Sequence, residues 1–248
     1  MARTVELALA LEKSGADILE LGLPFSDPLA DGIVNQLAAQ RALAAGATTR
    51  GVLDCVTKIR QRSQIPIVLY TYLNPIFQFG LKEFHRAAEA AGVDGLLILD
   101  LPPEEDLPAA QLDGFKPSSS VAGAENGVNE TLFHIRLIAP TTPPQRVQTI
   151  VQNARGFLYY VSREGVTGAR DEVAASLPEQ IAQLRKLSGL PIAVGFGISN
   201  AEQAREVARH ADAVVVGSAI VDLIAQHGDS STEKVGAFAR EVVDAISL

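Results

Sequence analysis

Two carboxylates near the start of this chain have the types and the setting for acid/base chemistry. Glu20 sits in a short apolar run, Ile18 to Leu21, and Asp31 lies in the loop after it, Gly22-Leu23-Pro24-Phe25-Ser26-Asp27-Pro28-Leu29-Ala30-Asp31-Gly32. Buried strands rarely carry Glu, because an ionised carboxylate is costly to desolvate unless it is paired or used. A carboxylate at the C-terminal end of a strand, facing a second one in the following loop, can divide proton donation and acceptance with it. Taken alone, the pair reads equally as a solvated Glu and an Asp that shapes its loop.

A second constellation lies late in the chain. Gly165-Val166-Thr167-Gly168, Gly195-Phe196-Gly197-Ile198-Ser199 and Gly217-Ser218-Ala219-Ile220 each follow a strand-like run. Glycine is needed where backbone N–H groups must approach a phosphate closely, and helix N-termini attract anions. Any one segment is explained by turn chemistry, but three at successive strand ends point to a phosphate cradle. The formal net charge is -8. An anionic ligand is therefore held locally, and nucleic acid or an anionic membrane surface is disfavoured as the main partner.

Other chemistries lack their residues. There is no G-x-x-x-x-G-K-[ST] loop, and His85, His134, His210 and His227 are scattered without metal-ligand spacing. No Lys stands at a strand end in a Schiff-base position. Metal-free acid/base chemistry on a small phosphorylated molecule remains. Tyr70, Tyr72, Tyr159, Phe25 and Phe196 lie at or near strand ends and suggest an apolar pocket.

The elements that must position these groups are legible in the patterning. Strand-length apolar runs cover Ile18–Leu21, Ile67–Tyr70, Gly95–Leu99, Phe133–Ile138, Phe157–Val161, Ile192–Val194 and Ala213–Val216. Helical patterns near Val5–Ser14, Thr49–Ser63, Leu81–Ala91, Pro144–Asn153, Leu177–Leu187 and Ala201–Ala208 alternate with them, with a further one at Val34–Ala45. Thr48 or Thr49, and Ser199 or Asn200, are N-cap candidates. Ser14-Gly15-Ala16-Asp17, Ala91-Gly92-Val93-Asp94 and His210-Ala211-Asp212 repeat a helix-end phrase before a strand. Nearly all-apolar strands suit a parallel sheet covered on both faces. A doubly wound sheet would fit the alternation, but G-x-G-x-x-G is absent after the first strand. The polar loops gather on the side where a β/α barrel places its site.

Composition sets the remaining bounds. The chain has 248 residues, 47% of them hydrophobic, with a mean hydropathy of +0.16, enough for one large α/β domain spanning 1–248. The one cysteine, Cys55, reads as a small core residue. No run is apolar enough to span a bilayer and no signal-peptide pattern opens the chain, so a cytoplasmic setting is expected. Residues 112–131 are polar and rich in Gly and Ser, and are expected to form a mobile surface loop.

The residues Glu20-Leu21-Gly22-Leu23-Pro24-Phe25-Ser26-Asp27-Pro28-Leu29-Ala30-Asp31-Gly32 closely resemble the signature of the tryptophan synthase alpha chain family. Y-T-Y-L-N-P-I-F, L-D-L-P-P-E-E, I-A-P-T-T-P, Y-Y-V-S-R-E-G-V-T-G, G-F-G-I-S and V-V-V-G-S-A-I-V follow in that family's order, from about Val5 to Val221. The resemblance implies a (β/α)8 TIM barrel that cleaves indole-3-glycerol phosphate to indole and glyceraldehyde 3-phosphate by a retro-aldol step. It implies Glu20 as the proton shuttle and Asp31 as the group that binds the indole N–H. Tyr159 falls beside the catalytic Glu, Tyr72 and Phe196 line the indole pocket, and Thr167 and Arg163 lie in a closing loop. Gly168, Gly197, Gly217 and Ser218 fall on the phosphate cradle. No cofactor is implied in this chain; pyridoxal phosphate belongs to a beta chain, the partner in an alpha-beta-beta-alpha heterotetramer, faced by the Asp27 segment and the loop after Asp100. A stand-alone indole-glycerol-phosphate lyase, or a non-catalytic barrel that stimulates the beta chain, are the alternatives. Three departures stand out. The family's N-terminal helix and first strand have no counterpart, and a misplaced start is the expected reason. Ile33-Val34-Asn35-Gln36 lacks the usual Pro, and residues 112–131 are longer and more polar than usual.

Overall fold

The computed structural model describes residues 2–103, 105, 132–152, 154–161, 176–195 and 197–247. Eight strand segments are seen: β1 (Leu19–Gly22), β2 (Ile67–Thr71), β3 (Gly95–Ile98), β4 (Phe133–His134), β5 (Arg136–Ile138), β6 (Leu158–Val161), β7 (Ile192–Gly195) and β8 (Ala213–Val214). All of their pairings are parallel, in the orders β1-β2-β3-β4 and β5-β6-β7-β8. β4 and β5 are two parts of one strand. Ile135 between them donates to Leu96 O at 2.9 Å, and from Arg136 onward the chain pairs with β6 instead of β3. The expected strand Phe133–Ile138 thus joins the two sheets, and every strand read from the sequence is present within a residue or two.

The helices are α1 (Ala2–Lys13), α2 (Ile33–Ala44), α3 (Thr49–Arg60), α4 (Leu73–Phe79), α5 (Leu81–Ala91), α6 (Pro144–Gln152), α7 (Leu177–Leu187), α8 (Ala201–Ala208), α9 (Ser218–His227) and α10 (Ser231–Ile246). Thr48 caps α3 by accepting from Gly51 N at 3.1 Å, and Asn200 caps α8 by accepting from Gln203 N at 2.9 Å. α4, α9 and α10 are additions to the sequence reading. α4 is short and contains Pro75 near its start, where a missing N–H costs no helical bond. Its first N–H, on Leu73, donates to Asp100 Oδ1 at 2.6 Å, so the cap comes from the loop after β3.

Packing separates into three apolar regions. One lies between β1–β4 and helices including α3 and α5, around Val56, Ile67, Leu69, Phe84 and Leu96. A second lies between β5–β8 and helices including α6, α7 and α8, around Leu158, Leu177, Ile192 and Val194. The third, Val68, Leu97, Ile135 and Tyr159 with Tyr70, Leu99 and Val215 against them, faces inward from strands of both sheets. The period of two along each strand decides the assignment: Leu69 looks out toward helices, Val68 and Tyr70 look in. This inward layer over parallel strands with helices outside is the arrangement of a (β/α)8 barrel. Among the described residues β1 pairs only with β2 and β8 only with β7, while α1 packs on α10 outside them. Cys55 is buried in the first region, as expected.

The repeated helix-end phrase has a structural task. Asp94 accepts from Ile67 N at 2.8 Å and pairs with Arg60; Asp212 accepts from Ile192 N at 2.9 Å and pairs with Arg185 at 2.9 Å. Each aspartate ties the start of its own strand to the start of a neighbouring one, at the end of the sheet away from the candidate site. Among the described residues no helix is long and apolar enough to cross a membrane.

Candidate active site

Leu19 and Leu21 of β1 pack outward, so alternation turns Glu20 and Gly22 inward. In register, Glu20 lies beside Val68 and Gly22 beside Tyr70. Glu20 is crowded by protein but borders open space, and its side chain is accessible to water. Burial by the surrounding protein, then the negative charge of Asp31, push its pKa from 4.5 to about 7. Water at the carboxylate screens both effects in part, and the net direction stays upward.

Asp31 has the opposite setting: it is 4% exposed and hydrogen-bonded through both backbone and side chain. Its backbone N donates to Pro28 O at 3.0 Å, and its carbonyl accepts from Gln36 Nε2 at 2.8 Å. Its carboxylate accepts from Tyr70 Oη at 2.5 Å, Tyr72 Oη at 2.9 Å and Asn35 Nδ2 at 3.3 Å. Burial foremost, with the neighbouring Asp31, raises the pKa of both phenols, so they remain donors. Tyr72 Oη also accepts from Ala30 N at 2.9 Å, and its ring lies 5.5 Å from that of Phe25. The loop is thereby pinned to the end of β2.

Tyr159, inward on β6, is 7% exposed, and burial together with Glu20 raises its pKa well above the usual phenol value. Its hydroxyl lies over Gly195 of the neighbouring β7, where an added Cβ would stand 2.4 Å from its Oη. At Gly22, by contrast, an added Cβ would meet nothing within 4 Å. Open space therefore remains beside Tyr70.

β7 and β8 are parallel neighbours, so the loops after them emerge at one end of the barrel. Gly197 adopts φ +87°, a conformation L side chains rarely take. Its turn is fixed by Ser199 N donating to Gln203 Oε1 at 2.9 Å. Gly217 is the N-cap of α9 and Ser218 its first residue; a Cβ at Gly217 would meet nothing within 4 Å. That leaves an uncovered helix N-terminus able to take an anion.

The structure therefore gathers Glu20, Asp31, Tyr72 and Tyr159 around the inner end of the barrel, with Gly197, Gly217 and Ser218 on the loops after β7 and β8. Arg163, Thr167, Gly168, Phe196 and the segment 112–131 lie outside the described residues. Sequence reasoning missed the task of Tyr70 on Asp31 and that of Gly195 under Tyr159. The signal was the period of two: Tyr70 shares the face of Val68, and Gly195 is the strand end opposite Val161.

Comparison with known proteins addresses the family and the fold. A sequence model of the family "Tryptophan synthase alpha chain" matches residues 1–246. The tryptophan synthase alpha chain of Opitutus terrae is 51% identical, over 94% of this chain and 84% of that protein. That of Geobacter sulfurreducens is 50% identical, over 90% and 79%. Among solved structures, Mycobacterium tuberculosis tryptophan synthase superposes with a TM-score of 0.84 at 32% identity, covering 100% of this chain and 88% of that one. The alpha subunit from Legionella pneumophila superposes with a TM-score of 0.79 at 38% identity, over 98% and 86%.

Proposed function

Because this chain belongs to the tryptophan synthase alpha chain family, a lyase family of tryptophan biosynthesis, we propose that its Glu20–Asp31 cleft cleaves indole-3-glycerol phosphate to indole and glyceraldehyde 3-phosphate. One observation carries the reading. A carboxyl whose pKa is raised to about 7 faces a second carboxylate fastened by two phenols. Near neutral pH Glu20 exists in both forms, which suits a group that must give a proton and take one.

Protonated Glu20 delivers its proton to C3 of the indole ring, leaving the ring nitrogen positively charged. Asp31 accepts the hydrogen bond of that N–H and stabilises the charge. The Glu20 carboxylate then takes the proton of the side-chain hydroxyl next to C3. That oxygen's electrons form the aldehyde C=O, the C–C bond to C3 breaks, and its electron pair restores the neutral indole. Tyr159 borders Glu20, Tyr72 bounds the ring pocket, and Gly197, Gly217 and Ser218 hold the phosphate through backbone N–H groups. Thr167, Gly168 and Phe196 complete the site in this reading.

The whole chain acts as one barrel domain in the cytoplasm, docked on a beta chain in an alpha-beta-beta-alpha assembly. Pyridoxal phosphate belongs to that partner, and no step above uses it. Exposed apolar side chains on the loop after β1, on α2 and on α4, namely Leu29, Ile33 and Phe77, support a docking surface near the site mouth. Glu20→Gln tests the reading. Indole release from indole-3-glycerol phosphate is expected to fall by about 10²–10⁴-fold, and turnover within about threefold of the parent would remove Glu20 from this role.

A further inference from the structure

The donors on Asp31 are distributed unevenly over its two oxygens. Oδ1 accepts from Tyr70 Oη at 2.5 Å and from Asn35 Nδ2 at 3.3 Å. Oδ2 accepts only from Tyr72 Oη, at 2.9 Å, among the described residues. A carboxylate offers about two lone-pair sites on each oxygen. Oδ1 is therefore filled and Oδ2 keeps one acceptor site.

The two phenols differ in how they are held. Tyr72 is fixed at its own oxygen by Ala30 N and at its ring by Phe25. Tyr70 comes from within β2, paired with β1 on one side and β3 on the other, so its origin is rigid. Opposite it in register is Gly22, where the space is open. Tyr70 thus borders the pocket while its hydroxyl points to the carboxylate. Without that hydroxyl, Oδ1 of a buried carboxylate would be left half-satisfied, and the group could turn to seek another donor.

We propose that Tyr70 is a positioning residue that fills Oδ1 of Asp31 and leaves Oδ2 as the one oxygen open to the ring N–H of the substrate, so that the site selects a bicyclic ligand that donates a hydrogen bond there. The proposal rests on the reading of Asp31 as the acceptor of the indole N–H. Tyr70 acts through Asp31 and contributes selectivity, not proton transfer.

The test compares binding of indole with that of benzothiophene, which has the same bicyclic shape and no N–H donor. NMR titration of the full chain measures both, in the parent, in Tyr70→Phe and in Asn35→Leu, with thermal melting of each variant recorded alongside. The parent is expected to prefer indole by about tenfold or more, the worth of a hydrogen bond to a charged group. In Tyr70→Phe the preference should fall to within about threefold, through weaker indole binding with benzothiophene little changed. Asn35→Leu should move it the same way and less, since its contact is longer. A preference kept in full by Tyr70→Phe overturns the assignment of Tyr70 while leaving the reading of Asp31 standing. Equal weakening of both ligands overturns it too, because that is what a merely structural role does. If Tyr70→Phe fails to fold, an unchanged preference in Asn35→Leu has the same force. No preference in the parent overturns the reading of Asp31 and this proposal with it.

Discussion

The two ends of the candidate site are built from different materials. The end formed by β1, β2 and their loops uses side chains: Asp31, Tyr70 and Tyr72, linked by hydrogen bonds, with Glu20 close enough for its charge to couple with that of Asp31. The end formed after β7 and β8 uses backbone: a positive-φ turn at Gly197 and the N-terminus of α9 behind Gly217. Side chains can titrate and can be tuned by neighbours, which proton transfer requires. Backbone N–H groups cannot titrate, and they hold an anion at any pH without adding net positive charge. A chain of formal net charge -8 can therefore bind a phosphate ester without a basic patch.

Breaking the side-chain end should have the largest effect. Asp31→Asn keeps the shape and removes the charge, so indole formation should drop by about 10²–10³-fold, as when one preorganised electrostatic partner of a transition state is lost. A steady-state assay checks this, and binding of product indole should weaken as well.

Breaking the backbone end should instead act on affinity. Gly217→Val puts a side chain into open space, so the fold has no clash to relieve. KM for indole-3-glycerol phosphate should rise by about ten- to a hundredfold, the worth of one or two charge-assisted hydrogen bonds. The penalty should vanish with a dephosphorylated substrate analogue. A loss of equal size with both substrates would mean that the phosphate sits elsewhere.

Gly195→Ala probes the seam between the two ends. Its Cβ would stand 2.4 Å from Tyr159 Oη, so the phenol must move. Overpacking of this kind costs about 1–3 kcal/mol. Denaturant unfolding should detect that loss, and kcat should fall, because the displaced phenol borders Glu20.

The smallest effect concerns stability against pH. Glu20 has its pKa raised from 4.5 unfolded to about 7 folded, so between these values the folded chain binds the proton that the unfolded chain has released. Folding is therefore favoured by this group below about pH 4.5, and that contribution is lost as pH rises through about 7. Glu20→Gln should gain stability relative to the parent across this window, read as a melting-temperature difference that widens with pH. Loss of activity together with gain of stability would mark Glu20 as a group kept for chemistry. A flat difference would mean that water screens the carboxylate fully.

Much of this was legible beforehand, for identifiable reasons. Strands such as Ile67–Thr71 and Ile192–Gly195 are continuous apolar runs bounded by polar loops, and burial on both faces leaves no other way to write them. Glu20 and Asp31 stood out because a carboxylate in such a run needs a reason. α4 was hidden by Pro75 and by its length, too short to show a period, and its cap comes from Asp100, distant in sequence. α9 follows Gly217 without a side-chain cap, and no described residue on it is buried, so no one-sided apolar stripe announced it. Tyr70 was hidden by its type: an aromatic in a strand reads as core, and its hydroxyl acquires a task only once the loop after β1 folds back over it.

The strand running from Phe133 through Ile135 to Ile138 is a shared margin: its first part is bonded into one sheet and its second into the other. Elsewhere the halves meet through α1 on α10, α2 on α9 and the inward layer of side chains from both sheets. Two apolar layers of their own, joined along one strand and latched by two helix pairs, make natural units of partial opening. Native-state hydrogen exchange should resolve two protected groups, β1–β3 and β6–β7, with separate opening free energies. The amides of Ile135 to Ile138 should follow whichever half opens first, which would make this seam a place to split the chain into complementing fragments.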